Sequence, residues 1–217
     1  MQKKMGAEKS HNVAARGRGR PRAFDRETAL GQATRLFWSK GYEATSIADL
    51  TEAMGIGSPS LYAAFGSKEA LYAETLDYYR NTYEPLFWAG FMAAPSAREA
   101  VIALLKDTAA TLAGFASDGP RGCMVALSAV GSEGHAELGE VVRTARAIGL
   151  KLLKSRLKQG ISDGEIPRTT DINALARFVQ TVQVGMSILA RDGASRNELE
   201  AVAQVAISGW DAQVALG

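Results

Sequence analysis

The most constraining feature of this sequence is the run from Ser46 to Lys68, which reads SIADLTEAMGIGSPSLYAAFGSK. Apolar residues recur at helical spacing on both sides of a break at residues 55–57, which read Gly-Ile-Gly. Glycine tolerates the positive φ that a tight turn between two helices requires. Ser58 is a good N-cap, and Pro59 suits the first helical position because its missing N–H costs nothing there. The run therefore predicts two short helices joined by a tight turn.

Two helices joined in this way form a helix-turn-helix, whose second helix can lie in the major groove of DNA. A helix this short buries little surface, so the rest of the chain must hold it in place. A first helix is expected over about residues 25–40, and Ser67 is expected to cap a fourth helix. Ser46 and Asp49 have the spacing of a capping box at the start of the second helix.

Positive charge is concentrated at the start of the chain. Residues 1–26 hold eight Lys and Arg against two Asp and Glu, or +6, so the remainder has 17 minus 21, or −4. The first 23 residues are rich in Gly, Arg and Lys, offer little to bury, and are expected to be disordered in the absence of DNA. Gly/Arg/Pro segments can follow the narrow minor groove. We expect DNA contacts from Arg18, Arg20 and Arg22, and the alternative is a solvated tail.

The stretch from Phe24 to Tyr72 resembles the DNA-binding domain of the TetR/AcrR transcriptional regulators. The most specific part is the run Gly55…Ser58-Pro59-Ser60-Leu61-Tyr62…Phe65…Ser67-Lys68-Glu69-Ala70-Leu71. The family usually has His or another large side chain before the Phe, whereas this chain has Ala64, so one phosphate or base contact seen elsewhere in the family is expected to be missing. The resemblance implies a homodimer that releases DNA when a small molecule binds its C-terminal domain.

The helix that follows the turn has one face for the core and one for DNA. Leu61 and Phe65 are expected to point inward, and Ser60 and Tyr62 can contact base edges or phosphates. Lys68 begins a helix, where a cation and unpaired backbone N–H groups suit a phosphate. The alternatives are a half-buried structural ring for Tyr62 and a solvated lysine for Lys68. The expected DNA contacts of this region are Thr45, Ser58, Pro59, Ser60, Tyr62, Ala63 and Lys68.

The second helix of the motif offers no Arg, Asn or Gln for a bidentate contact to a base. Specificity should therefore rely on the Ser and Tyr contacts, the N-terminal arm and the shape of the DNA.

The remaining chain predicts an all-α protein with about nine helices. We divide it into a disordered basic arm (1–23), a three-helix helix-turn-helix domain (24–70) and a helical ligand-binding and dimerisation domain (71–217). Bulky apolar residues recur at helical spacing after Leu71, Pro85 interrupts this run, and no stretch has a strand pattern. Further helices are expected over 97–117, 136–159, 171–190 and 195–216.

The helix predicted over 171–190 is apolar on two faces, which favours packing both within the chain and against a second copy, and the last helix adds further apolar residues. Two such helices from each subunit would form a four-helix interface. The expected interface residues are Leu175, Val179, Val182, Met186, Leu189, Val202, Ala206 and Trp210. A second apolar face carries Phe178, Val184, Gly185 and Ile188. The alternative is that both faces are buried within one chain.

The C-terminal part holds many large rings for a plain helical core. Aromatic cavities with a few polar groups suit small hydrophobic or aromatic effectors, and core packing is the alternative for any single residue. The lone Cys123 is either a reactive sensor thiol or a small buried hydrophobe. The candidate ligand residues are Tyr79, Tyr83, Phe87, Trp88, Phe91, Thr108, Phe115, Cys123, Met124, Phe178 and Gln183.

Several functional classes lack their sequence signals. A single cysteine forms no intrachain disulfide and fits a reducing cytoplasm. No apolar run reaches the ~18–20 residues of a membrane span, and the start has no secretory signal. His11 and His135 lie apart from clustered acids or cysteines, and no phosphate-binding glycine loop or GxSxG motif occurs. We therefore expect a soluble cytoplasmic protein with no catalytic residue, cofactor or metal site.

These patterns, together with what the resemblance to the TetR/AcrR regulators implies, favour a homodimeric repressor that binds a palindromic operator in double-stranded DNA and is released by a small-molecule effector. Two other functions stay open at this point. One is an architectural DNA-binding protein that responds to no effector. The other is an all-helical small-molecule-binding protein or enzyme with a vestigial DNA module.

Overall fold

The computed structural model describes residues 24–114 and 119–215, which contain helices and no strand. Nine of the described helices have eight residues or more, and α7 is a single turn, so the predicted all-α fold of about nine helices is confirmed. The predicted N-terminal arm and Phe115 lie outside the described residues. No helix within these two ranges is long and apolar enough to cross a membrane. The helices are α1 (Arg26–Lys40), α2 (Ile47–Met54), α3 (Ser58–Phe65), α4 (Lys68–Thr82), α5 (Pro85–Ala93), α6 (Ala97–Leu112), α7 (Met124–Leu127), α8 (Ala136–Ser162), α9 (Ile172–Arg191) and α10 (Arg196–Ala215).

The helix-turn-helix forms through the predicted caps. The Ser46 hydroxyl accepts the Asp49 N–H (3.1 Å), and the Asp49 carboxylate accepts the Ser46 N–H (2.8 Å), which completes the capping box. Hydrogen bonds from the Ser46 backbone and side chain, followed by one from Lys40, lower the pKa of Asp49 to about 2. Gly55 ends α2 in the left-handed conformation, at φ 65°. Both ends of α2 are thus fixed by local hydrogen bonds.

One boundary in this motif differs from the prediction. Gly57, and not Ser58, is the N-cap of α3, and Pro59 stands at the second helical position. The reason is that the Gly57 carbonyl accepts the N–H groups of Ser60 (2.9 Å) and Leu61 (3.0 Å), so the first helical turn closes one residue early. The Ser58 hydroxyl makes no capping hydrogen bond.

Two other boundaries also differ. Helix α6 ends at Leu112 and not at residue 117, because Gly114 at φ 139° leaves the helical path. Helix α8 extends three residues beyond the predicted residue 159. Its last turn is still packed, since a Cβ on Gly160 would lie 2.8 Å from the Ala97 Cβ. By contrast, the interruption at Pro85 is where it was predicted, between α4 and α5.

The buried side chains form two clusters, and α8 contributes to both. The first cluster joins α1–α4 to α7 and to the first half of α8, through residues such as Met124, Leu138 and Val142. The second joins α5, α6, α9 and α10 to the second half of α8, through Leu153 and Leu157. The core beneath the helix-turn-helix therefore continues into the C-terminal part of the chain.

We predict that Ser46→Ala lowers the free energy of unfolding by about 1 kcal/mol, because the capping box loses its side-chain acceptor. Urea unfolding followed by circular dichroism measures this change. Ser39→Ala is the matched control, since its exposed hydroxyl bonds only to the Leu36 carbonyl within α1. Equal effects of the two substitutions would contradict the role of the cap.

Candidate nucleic-acid interface and internal cavity

Helix α3 presents a polar and aromatic face to solvent. Tyr62 is 47% exposed, and Ser58, Pro59 and Ala63 are exposed beside it, whereas Ser60 is half-buried at the edge. Leu61 and Phe65 are buried in the core on the opposite face. The structure therefore brings together the five α3 residues that were expected to face DNA.

Arg26 fastens the carboxyl end of α3 to the rest of the fold. Its guanidinium lies 4.4 Å from the centre of the Phe65 ring and donates to the Ala64 carbonyl (3.3 Å) and to Glu74 on α4 (2.7 Å). A cation at this end also suits the helix dipole. The sequence analysis missed this residue, because its partners are 38 and 48 residues away and no local spacing connects them.

Lys68 begins α4 beside this surface, where it was expected. Its ammonium lies 4.2 Å from the centre of the Tyr42 ring, and the Tyr42 hydroxyl donates to Glu69 (2.9 Å). The ring restricts the lysine, which is half-buried. Thr45 requires a correction, because it is fully buried and its hydroxyl donates to the Gly41 carbonyl (2.6 Å). The Thr45 side chain is therefore not available for contact with DNA.

The carboxyl end of α1 is held to the C-terminal part of the chain by two side chains. The Arg191 guanidinium donates to the carbonyls of Trp38 (2.8 Å), Ser39 (3.1 Å) and Arg121 (3.0 Å). The Trp38 indole N–H in turn donates to the Gly122 carbonyl (3.0 Å). These bonds connect α1 to the end of α9 and to the segment that leads into α7.

A cavity of about 450 Å³ lies between α5, α6, α7, α8 and α9. Five of the predicted ligand residues line it, namely Phe87, Trp88, Thr108, Cys123 and Gln183. The Gln183 amide donates to the Thr108 hydroxyl (3.0 Å), and the Cys123 N–H donates to the Ser187 hydroxyl (3.2 Å). Large aromatic side chains and a small set of bonded polar groups thus share one space.

The other predicted ligand residues lie elsewhere. Tyr79 and Met124 are buried in the first core cluster, and Phe91 is buried in the second. Tyr83 packs its ring against Trp38, with 5.2 Å between the ring centres. Phe178 is 40% exposed on the outer face of α9. Core packing therefore accounts for Tyr79, Met124 and Phe91, as the alternative in the sequence analysis allowed.

The sequence analysis also missed charged residues on the cavity wall. Arg146 and Arg177 line it, together with Glu84. Arg146 was detectable, because it interrupts an apolar stripe with a spacing of four residues that includes Val142 and Leu150. Burial raises the pKa of the Glu84 carboxyl above its usual value, and it also raises the pKa of the Cys123 thiol.

The surface of α9 and α10 differs from the predicted interface. Five of the expected residues are buried within the chain and are not available to a second copy: Leu175, Val179, Met186, Ala206 and Trp210. Val182 is half-buried, and Leu189 and Val202 are exposed. The exposed apolar side chains on these helices are Phe178, Ile188, Leu189, Val202 and Val205, which we call the α9–α10 patch.

The helix-turn-helix matches a known protein family. Residues 29–75 match the family model described as "Bacterial regulatory proteins, tetR family". The chain is 37% identical over 204 residues to the HTH-type transcriptional repressor ComR of Escherichia coli (strain K12), covering 93% of this chain and 96% of ComR. It is 33% identical over 189 residues to the repressor BdcR of the same organism, covering 87% and 90% of the two chains.

A solved structure is similar over most of the fold. It is a cysteine mutant of the TetR family transcriptional regulator CifR, complexed with 26-bp double-strand operator DNA. The two chains are 42% identical and superpose with a TM-score of 0.82, over 88% of this chain and 100% of the CifR chain.

We predict that iodoacetamide modifies Cys123 at least about tenfold more slowly in the folded protein than in urea, because the side chain is half-buried and the raised pKa of its thiol disfavours the reactive thiolate. Mass spectrometry over time measures both rates. The control is the double variant Cys123→Ser/Ser132→Cys, which moves the thiol to an exposed loop position. Native Cys123 reacting as fast as the exposed thiol would contradict the structural role and favour a sensor.

Proposed function

This chain belongs to the TetR family of bacterial transcriptional regulators, and we propose that it is a repressor that binds double-stranded operator DNA as a homodimer and is released by a small-molecule effector. The observation that carries the proposal is the rigid display of α3. Its inner face is buried, its carboxyl end is fixed by Arg26, and its outer face is accessible. The repressor names of ComR and BdcR and the operator complex of CifR support the same function.

In this proposal α3 enters the major groove with Tyr62 and Ser60 towards the bases. Lys68 contacts a phosphate beside the groove, where its restricted position lowers the entropy lost on binding. The arm residues Arg18, Arg20 and Arg22 follow the adjacent minor groove. Residues 24–70 form the DNA-binding domain, which the arm (1–23) assists, and residues 71–217 bind the effector and the second subunit. A regulator of this kind acts in the compartment that holds the DNA, which we take to be the cytoplasm, and no catalytic step is proposed.

The α9–α10 patch supports the homodimer. Val205 is 74% exposed and Ile188 50% exposed, which is costly for side chains of this size unless another surface covers them. In the described part of the chain, no atom outside the adjoining backbone of α9 lies within 4 Å of where a Cβ on Gly185 would stand, so a partner helix can approach α9 closely. A two-fold dimer through this patch would place two copies of α3 on a palindromic operator, about 34–36 Å apart.

The effector acts in this proposal by shifting a population between two dimer geometries. The cavity wall includes Cys123, which directly follows Gly122, and the Gly122 carbonyl holds the Trp38 indole of α1. Ser187 also lines the cavity, four residues before Arg191 in α9. A ligand that moves these walls would therefore move α1, and with it the helix-turn-helix.

We predict that Lys68→Gln weakens operator binding about tenfold and lowers the salt slope of the affinity by about 1, because one phosphate contact is lost. Tyr62→Ala is expected to reduce discrimination between operator and unrelated DNA. Footprinting on the DNA that flanks the gene would identify the operator, and fluorescence anisotropy would then measure both affinities.

The matched control is Lys106→Gln, which removes the same charge from an exposed position on α6. If Lys106→Gln weakens binding as much as Lys68→Gln, the assigned surface is wrong. A purified protein with no sequence-selective binding to any duplex would contradict the proposed function itself.

We predict that Val205→Asp converts the dimer to a monomer at micromolar concentration, because a carboxylate would be buried in an apolar interface. Sedimentation velocity measures the change, and operator affinity should fall at least about tenfold as the two half-sites are no longer bound together. Met92→Asp is the control, since Met92 is a 67% exposed apolar side chain on α5. A Val205→Asp protein that remains dimeric would exclude this interface.

A further inference from the structure

The cavity described above contains positive charge that no carboxylate within residues 24–114 and 119–215 balances. Arg146 and Arg177 both line it, and neither forms an ion pair within residues 24–114 and 119–215. Arg146 is half-buried and donates through Nε and Nη2 to the carbonyls of Val125 (3.0 Å), Ala126 (3.1 Å) and Ser128 (2.6 Å). These carbonyls fix the guanidinium but carry no net charge. Its Nη1 makes no hydrogen bond within the described part of the chain.

Gln180 connects the two arginines. Its side-chain carbonyl accepts a hydrogen bond from Arg177 Nη1 (3.0 Å), and its amide donates to the backbone carbonyl of Arg146 (3.2 Å). All three residues line the cavity, and we call them its polar corner; the Gln180 bond reaches the backbone of Arg146 on α8 and not its guanidinium. Arg177 is exposed, which places this corner where the cavity opens to solvent.

The single carboxylate on the described cavity wall does not neutralise this corner. Glu84 stands at the start of α5, and its carboxylate lies 3.6 Å from the Nε of Arg80, which is outside the lining. Glu84 is therefore already opposite a cation. Apart from Glu84, the described cavity wall carries two guanidinium groups, those of Arg146 and Arg177, and no carboxylate.

The rest of the lining is apolar and partly aromatic. Phe87 and Trp88 of α5 face the cavity together with Leu112, Ile148 and Leu152 of α6 and α8. A volume of about 450 Å³ is in the ordinary range for a site that holds a small organic molecule. The cavity therefore has an apolar body and a cationic opening.

We propose that the effector is an amphipathic organic anion, whose carboxylate or similar oxyanion binds Arg146 and Arg177 while its apolar body packs against Trp88. This inference rests on the proposed function and specifies the chemistry of its effector. Guanidinium groups bind carboxylates through paired, charge-assisted hydrogen bonds, and a half-buried site strengthens them. The anion would supply the charge that the carbonyls around Arg146 lack.

The first test compares head groups on identical bodies. Thermal unfolding of the full chain is measured with octanoate, decanoate, 4-phenylbutyrate and 2-naphthoate, with the primary amide of each, and with the matching primary ammonium compounds. Ligands that bind the folded state raise the unfolding temperature. We expect at least one carboxylate to raise it, and its amide and ammonium analogues to have no comparable effect. If only amides or ammonium compounds raise the unfolding temperature, or if none of the compounds does, the inference is overturned.

The second test uses two charge-removing variants and isothermal titration with the most stabilising carboxylate. Arg177→Gln is chosen because Arg177 is exposed and its loss leaves the three carbonyl bonds of Arg146 in place. We expect the dissociation constant between the Arg177→Gln variant and the carboxylate to rise at least about tenfold, since a charge-assisted hydrogen bond is lost. Glu84→Gln is the matched opposite change and should leave carboxylate binding equal or tighter. If Arg177→Gln binds the carboxylate as tightly as the unsubstituted protein, or if only Glu84→Gln binds it more weakly, the inference is overturned.

Operator binding by the ligand-free protein separates the two proposals. If the ligand-free protein binds its operator and no carboxylate raises the unfolding temperature, only the proposed chemistry of the effector is wrong. If it binds no operator, the proposed function fails whatever the ligands do. Release of operator DNA by the stabilising carboxylate, but not by its amide, would support both.

Discussion

The position of the helix-turn-helix depends on how the carboxyl end of α1 is held. A helix ends with carbonyl groups that have no partner inside the helix, and these groups carry the negative end of its dipole. Here the carbonyls of Trp38 and Ser39 receive the guanidinium of Arg191, which lies at the end of α9. Because α1 packs against both α2 and α4, this contact sets where the α2–α3 unit stands relative to the C-terminal helices.

The same region adjoins the cavity, which would give the proposed effector a physical route to the DNA-binding helices. Ala145 belongs to the core cluster beneath the helix-turn-helix and also lines the cavity. Its neighbour Arg146 donates to the Val125 carbonyl in α7. Just before α7, the Gly122 carbonyl accepts the indole N–H of Trp38. An anion that draws the Arg146 guanidinium towards itself would compete with those carbonyls. A ligand shifts the protein only by its difference in affinity between the two geometries, and this competition would supply such a difference.

The features that the sequence predicted correctly are local ones. The capping box of Ser46 and Asp49, the turn at Gly55 and the break at Pro85 each depend on residues within a few positions of one another. The early start of α3 at Gly57 shows the limit of such rules, because two adjacent residues were both acceptable caps. The exposed face of α3 also followed from helical spacing, since the bulky apolar residues Leu61 and Phe65 are four positions apart and share one face.

The features that it missed depend on contacts between distant segments. Arg26, Arg146 and Arg191 each donate to backbone carbonyls, and backbone carbonyls leave no signature in the sequence. Both faces of α9 are apolar at helical spacing, so the pattern could not show that Val179 is buried in the second core cluster while Ile188 is exposed. Thr45 resembles a helix-start residue, but burial directs its hydroxyl to Gly41.

The most direct test measures how firmly α3 is held. Spin labels at Ala63→Cys, in a Cys123→Ser background, would report the distance between the two α3 helices of the proposed dimer, free of DNA, by double electron–electron resonance. The account predicts one narrow distance distribution, and a clearly broader one when Arg191→Gln removes the bonds to α1. A broad distribution before that substitution, or one that the substitution leaves unchanged, would contradict the claim that Arg191 positions the helix-turn-helix.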